Sequence, residues 1–193
     1  MDLDTWLPRY DVRERHRVFV RASAARAWQA ILAMDLEEVP LVKALVRARE
    51  WVVGANAVER RGEGSFFEKM AGMGWGPLWR EDGRGAVMGA VTKPWEANVV
   101  FVPLAPERFA TFSEDGWVVI VWGIEVAERE GGCEVATETR TWETDEETRK
   151  RFRRYWAWIW PGVKLIRWAL LSEVRRRAES EADLGKGRGM SGG

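Results

Sequence analysis

The segment that decides the fold is residues 145–179, DEETRKRFRRYWAWIWPGVKLIRWALLSEVRRRAE. Its apolar residues recur at spacings of three and four, which places them on one face of an α-helix about 50 Å long. They are Phe152, Trp156, Ile159, Val163, Ile166, Leu170 and Val174. Thr144 and Glu147 have the spacing of a capping box, which marks the helix start. Because the stripe keeps its phase across Pro161, we predict one bent helix and not two.

The length indicates a single domain, and the charge balance gives no indication of a strongly charged partner. The 193 residues include 30 Lys and Arg and 30 Asp and Glu, so the balance gives no case for nucleic acid as the main partner. Cys133 is the only cysteine, which excludes an intrachain disulfide and fits a reducing compartment. The N-terminus lacks a signal-peptide pattern, and the most apolar window, residues 155–171, is too short and too charged to span a membrane. We therefore expect a cytoplasmic protein.

The sequence pattern before the long helix predicts one strand, then two short helices, then a run of strands. Residues 11–21 alternate like a half-buried strand, and Ser23 caps a helix over residues 24–34. A second helix is predicted over residues 35–48, whereas residues 65–73 fit either a short helix or a strand. Further strands are predicted over residues 75–81, 85–92, 108–114, 117–129 and 133–143.

This order of elements determines the predicted class. Strands that follow one another and then give way to a long helix favour an α+β fold, with an antiparallel sheet wrapped on the terminal helix. We expect one domain over residues 1–182. The glycines of residues 183–193 indicate a flexible tail.

Few residues suit catalysis or metal binding. His16 is the only histidine, and metal sites and activated nucleophiles normally rely on histidine. Cys133 has no basic neighbour in the sequence that would favour a thiolate. We therefore predict no catalytic residue, no metal site and no cofactor.

Glu138 and Arg140 are the most suggestive polar pair. They stand two residues apart on a predicted strand, so their side chains share a face. Two interpretations stay open, an exposed ion pair of small energetic value and a polar pair that orients a ligand at a cavity wall. Alternation alone also allows the threonines at 137, 139 and 141 to be the inward set. Tyr155 on the long helix is a further polar candidate.

Several stretches carry a resemblance to a known group of proteins. They are VFVRASAARAW at 18–28, PERFA at 106–110, the strand over 118–126, TETR at 137–140 and RFRRYW at 151–156. Over about residues 10–180 the chain resembles the START-like superfamily, also called SRPBCC or helix-grip, which includes the birch-pollen-allergen fold and polyketide cyclases. The resemblance implies a curved antiparallel sheet that grips the C-terminal helix. It also implies an apolar cavity for a lipid, polyketide or similar molecule.

The resemblance and the apolar surplus of both elements place a candidate ligand site between the strand over 117–126 and the helix stripe. The predicted ligand-binding residues are Trp117, Val119, Ile120, Trp122, Glu138, Arg140, Tyr155, Trp156, Ile159 and Val163. One alternative is an enzyme of the cyclase or aromatase type, with a polar pair that transfers protons. Another is contact with a protein or a membrane surface through Trp158 and Trp168. Neither the ligand nor the oligomeric state follows from the sequence.

Overall fold

The computed structural model describes residues 2–35, 64–96 and 98–188, with side chains as far as Ser180. The strands are β1 Val12–Val20, β2 Gly76–Glu81, β3 Gly85–Thr92, β4 Phe101–Val102, β5 Val118–Arg129 and β6 Gly132–Glu143. The helices are α1 Ala24–Leu32, α2 Phe66–Gly72, α3 Pro106–Phe109 and α4 Glu146–Arg188. The helix predicted over residues 35–48 lies almost wholly outside the described residues.

The described strands form one antiparallel sheet in the order β1-β6-β5-β3-β2, and β4 pairs with β3. The long helix α4 runs alongside β1. At its start Arg149 Nε lies 2.9 Å from Asp11 Oδ1, and further along Glu179 Oε1 accepts a hydrogen bond of 2.9 Å from the backbone N–H of Arg21. The predicted α+β helix-grip class is confirmed.

The two faces of the sheet bury different cores, because side chains alternate along each strand. We call the face that carries α4 the helix face and the opposite one the outer face. On the helix face Trp122 and Ile124 pack with α1, α2 and the last part of α4. On the outer face Val119 and Val121 pack with Phe109 of α3 and with residues of the N-terminal segment, residues 2–10.

The start of α4 differs from the predicted capping box. Asp145 is the capping residue, since its Oδ1 accepts a hydrogen bond of 2.9 Å from the backbone N–H of Thr148. Thr144 is used elsewhere, because its hydroxyl accepts from the N–H of Trp117 and donates to that residue's carbonyl. The hydrogen bonds from Thr148 hold the pKa of Asp145 well below its usual range. The box of Thr144 with Glu147 is therefore wrong.

Helix α4 is continuous through Pro161, so the prediction of one helix is confirmed. The bend at Pro161 stays a prediction. The helix passes residue 179, where the sequence pattern ended it, and its backbone continues to Arg188, into the segment predicted as a Gly-rich tail. Residues 189–193 lie outside the described residues, and the division into a domain and a tail stays a prediction.

Two short helices lie where the sequence left the element type open or predicted a strand. Residues 65–73 contain α2, and the backbone N–H of Ser65 donates to Glu68 Oε2 at 2.6 Å, as in a capping box. The strand predicted over residues 108–114 is wrong. Pro106 stands at the start of α3, where proline favours a helix, and Phe109 is buried on the outer face.

Candidate functional site

A line of cross-strand neighbours crosses the helix face of the sheet. Glu14 of β1 is opposite Thr139 of β6, which is opposite Trp122 of β5, which is opposite Met88 of β3. Ile120 lies two residues from Trp122 and therefore on the same face. This line combines a carboxylate, a hydroxyl and apolar groups beneath the long helix.

The middle of α4 is less buried than its two ends. Phe152 near the start is buried, as are Leu170 and Val174 further along. Between them four members of the apolar stripe are only half-buried, namely Trp156, Ile159, Val163 and Ile166. The middle section, residues 156–167, thus keeps apolar surface accessible on the face that the sequence pattern predicts to be buried.

Two polar contacts tie this middle section to the sheet. Trp160 Nε1 donates a hydrogen bond of 2.6 Å to Glu14 Oε1, and Arg167 Nη2 donates one of 2.8 Å to Thr139 Oγ1. We call the region formed by residues 156–167 and the line of neighbours from Glu14 to Trp122 the helix-face site.

The structure brings half of the predicted ligand-binding residues to the helix-face site. Ile120 and Trp122 lie on the helix face, where Trp122 is buried and Ile120 half-buried. Trp156, Ile159 and Val163 are half-buried on α4. Tyr155 is half-buried beside Phe152, with the two ring centroids 6.2 Å apart, and stands next to this group.

The predicted placement of Trp117 and Val119 beside the long helix is wrong. Both lie on the outer face, because they are separated from Ile120 by odd numbers of residues along β5. Val119 is fully buried in the outer core. Lys93 Nζ lies 4.6 Å from the centroid of the Trp117 ring, which also makes an edge contact with Phe112.

Glu138 and Arg140 also lie on the outer face, so neither is positioned to orient a ligand at the helix-face site. Arg140 donates to Glu138 Oε1 at 2.7 Å and to the carbonyl of Leu7 at 3.1 Å, and its guanidinium lies over the ring of Tyr10. Arg13 also binds Glu138. The pair thus fastens the N-terminal segment to the sheet.

The alternative of an exposed ion pair is equally wrong, because only 4% of Glu138 and 5% of Arg140 is exposed. Burial would raise the pKa of Glu138, but the hydrogen bonds from Arg13 and Arg140 outweigh it and lower that pKa. The residues that face the long helix are the threonines at 137, 139 and 141, the set that alternation had left open.

Arg167 is a site residue that the sequence interpretation missed. It is half-buried, and its guanidinium carbon lies 5.6 Å from the ring centroid of Trp122. Burial lowers the pKa of Arg167 to about 10. A usable signal was its position four residues after Val163, which puts it at the edge of the apolar stripe.

A second missed residue is Glu143, which is 1% exposed near the start of α4. Burial, and next the neighbouring carboxyl group of Asp11, raise the pKa of Glu143 to about 8. Thr141 Oγ1 donates to Glu143 Oε1 at 2.9 Å, and Arg149 binds Asp11. Glu143 therefore keeps its proton at neutral pH while Asp11 is ionised.

His16 stands beside Glu14 on the helix face, with Nε2 3.4 Å from Glu14 Oε2. Within residues 2–35, 64–96 and 98–180, no group of three His, Cys, Asp or Glu side chains could hold a metal ion. In the part of the chain that the structure describes, no helix is both long and apolar enough to cross a bilayer.

An open groove of about 890 Å³ lies between the N-terminal segment and the ends of β2, β3 and β5. Its charged lining residues are Asp2, Glu81, Arg84, Glu125 and Glu128. Four of these five charged residues are acidic, and the groove is also lined by the apolar residues Trp6, Trp79, Val87, Val126 and Ala127. The groove thus combines apolar surface with negative charge.

No family model and no curated protein matches the chain. Similar solved structures include protein CV1439 from Chromobacterium violaceum, with 12% identity and a TM-score of 0.36 over 84% of this chain and 96% of that one. Ara h 8.0201 has 8% identity and a TM-score of 0.30, and the match covers 88% of this chain and 98% of that one. An uncharacterised protein from Rhizobium leguminosarum has 12% identity and a TM-score of 0.29, and the match covers 86% of this chain and 95% of that one.

Proposed function

We propose that the protein binds a small hydrophobic molecule at the helix-face site, between α4 and strands β5 and β6. The observation that carries the proposal is the burial profile of the apolar stripe of α4, whose members are buried near both ends of the helix and only half-buried between Trp156 and Ile166. The resemblance of residues 10–180 to the START-like superfamily fits the same function.

The energetic reason is the apolar surface that the middle of α4 leaves in contact with water. Covering such surface releases roughly 25 cal/mol for each Å². Ile159 and Val163 on the helix and Ile120 on the sheet offer apolar walls, while Thr139 and Arg167 offer a few polar groups. Apolar walls with a few placed polar groups are typical of small-molecule sites.

Catalysis of the cyclase type is less well supported by the same geometry. Glu143 has a pKa suited to a general acid at neutral pH. Its side chain is nevertheless buried in contact with Thr141 and Asp11, so a substrate has no access to the carboxyl group. Glu138 is paired with Arg13 and Arg140, and Arg140 also binds the N-terminal segment.

A second candidate function is attachment to an anionic membrane surface, and one specific observation favours it. Trp158 and Trp168 are 63% and 66% exposed on the outer side of α4, and Leu165 between them is also exposed. Lys164 and Arg175 stand exposed nearby along the helix. Exposed Trp and Leu beside basic residues are typical of helices that lie in a membrane interface.

The proposed function is tested by titrating the protein with Nile red, an uncharged dye that fluoresces in apolar surroundings. We expect saturable binding that Val163→Trp weakens about tenfold or more, because the larger side chain fills the site. The matched control is Ala157→Trp, which places the same side chain at an exposed position of the same helix. Equal dye binding by both variants and the wild type would remove the helix-face site from consideration.

The membrane candidate is tested separately with vesicles of phosphatidylserine and phosphatidylcholine. Sedimentation of the wild type but not of the double variant Trp158→Ser/Trp168→Ser would support surface attachment. Dye binding by that double variant should stay unchanged, since both side chains point away from the helix-face site.

A further inference from the structure

Arg167 is directed toward the sheet, although it belongs to a helix whose other cationic residues are mostly exposed. Arg151, Arg153, Arg154 and Lys164 are all exposed, whereas Arg167 is half-buried. Its guanidinium reaches Thr139 and lies over the ring of Trp122. Long cationic side chains usually keep their charged ends in water, so this inward position requires an explanation.

The charge of Arg167 is not balanced by a carboxylate among the described residues. Within the described part of the chain its guanidinium contacts the Thr139 hydroxyl and the Trp122 indole ring, and desolvation lowers its pKa. At a pKa of about 10 the group is still cationic at neutral pH. Arg140 gives the contrast, because on the outer face it contacts the carboxylates of Glu138 and Asp4. A charge withdrawn from water without a partner is costly.

The groups in contact with Arg167 have hydrogen-bond donors that find no acceptor among the residues that the structure describes. The Thr139 hydroxyl accepts from Arg167, and within the described residues no hydrogen bond donated by it is recorded. Trp122 Nε1 is buried and has no hydrogen-bond partner in the described part of the chain. Arg167 itself uses one of its five N–H groups in the bond to Thr139. Together these groups could serve an anion.

We propose that Arg167, with Thr139 and Trp122, receives the carboxylate of an amphipathic monocarboxylic acid. The inference rests on the proposed function and names its ligand class. The acid's hydrocarbon chain lies along Val163, Ile159 and Trp156, which precede Arg167 on the same side of α4. Residues 156–167 span about 16 Å of helix, along which a large part of a fatty-acid chain can lie.

A single negative charge fits this position better than a phosphate dianion. Arg167 is one cation, and Glu14 is the direct cross-strand neighbour of Thr139, so a second negative charge would meet repulsion. The planar fork of a guanidinium also matches a carboxylate. These points favour a fatty-acid-like ligand over a phosphorylated lipid.

The test compares oleate, oleyl alcohol and methyl oleate as competitors of Nile red on the whole chain. For the wild type we expect oleate to displace the dye at a concentration about tenfold or more below that of the two uncharged analogues, since charged hydrogen bonds favour the acid. In Arg167→Gln this preference is lost, while oleyl alcohol still displaces the dye. The control Arg154→Gln removes an exposed charge from the same helix and keeps the preference.

Thr139→Val is a second variant, which should reduce the preference for oleate without removing Arg167. If oleate and oleyl alcohol compete equally on the wild type, the anion site is wrong and the proposed function stands. Preference for oleate that survives in Arg167→Gln also overturns the anion site. If none of the three molecules displaces the dye, the proposed function fails together with the inference. The wild-type comparison decides the matter even where a variant does not fold.

Discussion

Thr139 and Arg140 are adjacent in β6, and their side chains lie on opposite faces of the sheet. Thr139 accepts a hydrogen bond from Arg167 of the long helix, whereas Arg140 donates to Glu138 and to the carbonyl of Leu7. One step along a strand therefore separates the helix-face site from the attachment of the N-terminal segment. The two faces should respond differently to substitution.

Replacing Arg140 should lower stability and leave ligand binding intact. Arg140→Met leaves the buried carboxylate of Glu138 with Arg13 and with Arg15, whose Nη1 lies 3.8 Å from Glu138 Oε2. We expect the free energy of unfolding to fall by about 3 kcal/mol. Urea denaturation measures the loss. The control Arg84→Met removes an exposed pair with Glu81 and should cost about 0.5 kcal/mol or less. Unchanged stability of Arg140→Met would contradict the anchoring role.

Glu143 should make stability fall as pH rises. Its pKa is raised from 4.5 to about 8 in the folded protein, so the folded state holds this proton more tightly than the unfolded state. The stabilisation is therefore complete below the unfolded pKa and is lost as pH rises through about 8. Urea melts of the wild type at several pH values between 5 and 9 should show this decline.

The matched variant for this pH effect is Glu143→Gln, whose amide can donate to Asp11 as the protonated carboxyl group does. We expect the variant to lose less stability than the wild type over the same pH range, and to be the more stable of the two at pH 9. Parallel stability curves for the two proteins would show that Glu143 does not titrate in this range.

The long helix should lose stability in proportion to the burial of the residue replaced. Leu170→Ala should cost about 2–5 kcal/mol, because the side chain is fully buried. Trp156 is only half-buried, stacked on Phe152 with centroids 5.6 Å apart, so Trp156→Ala should cost less than Leu170→Ala. Trp158→Ala should change stability by about 0.5 kcal/mol or less. Thermal melts that rank Trp158 above Trp156 would contradict the orientation of α4.

A close approach on the outer face gives a further test. A methyl group at Gly89 would clash with a ring carbon of Phe109 and lie 2.7 Å from Leu78 Cδ1, and both side chains are buried. We expect Gly89→Ala to cost about 1–3 kcal/mol in urea denaturation. Gly72→Ala is the control, because no atom lies within 4 Å of the added group. Equal stability of the two variants would show that α3 does not pack tightly on β3.

The class of the fold was readable because two strong local signals agree with the tertiary structure. The apolar stripe from Phe152 to Val174 predicted the long helix, and the run of consecutive strands before it predicted the antiparallel sheet. The strand prediction over residues 108–114 failed because Pro106 starts a helix there, although the residues that follow also fit a strand pattern. Here a local backbone preference decides between two patterns that hydrophobicity alone cannot separate.

The candidate site was harder to predict, because alternation defines two faces without saying which one meets the helix. The chemistry of Glu138 and Arg140 favours them over the threonines as ligand contacts, but their partners are Arg13 and the N-terminal segment and not a ligand. The inward position of Arg167 depends on contacts with Thr139 and Trp122, 28 and 45 residues away in sequence. Such contacts leave no local pattern.

Ligand binding at the helix-face site is tested most directly by photo-crosslinking with an oleic acid analogue that carries a diazirine in its chain. Mass spectrometry then identifies the labelled residues. We expect labels at Ile159, Val163 and Ile120, and their loss when unlabelled oleate is added in excess. Labels confined to Trp158 and Trp168 on the outer side of α4, or to the groove beside Trp6 and Trp79, would contradict it.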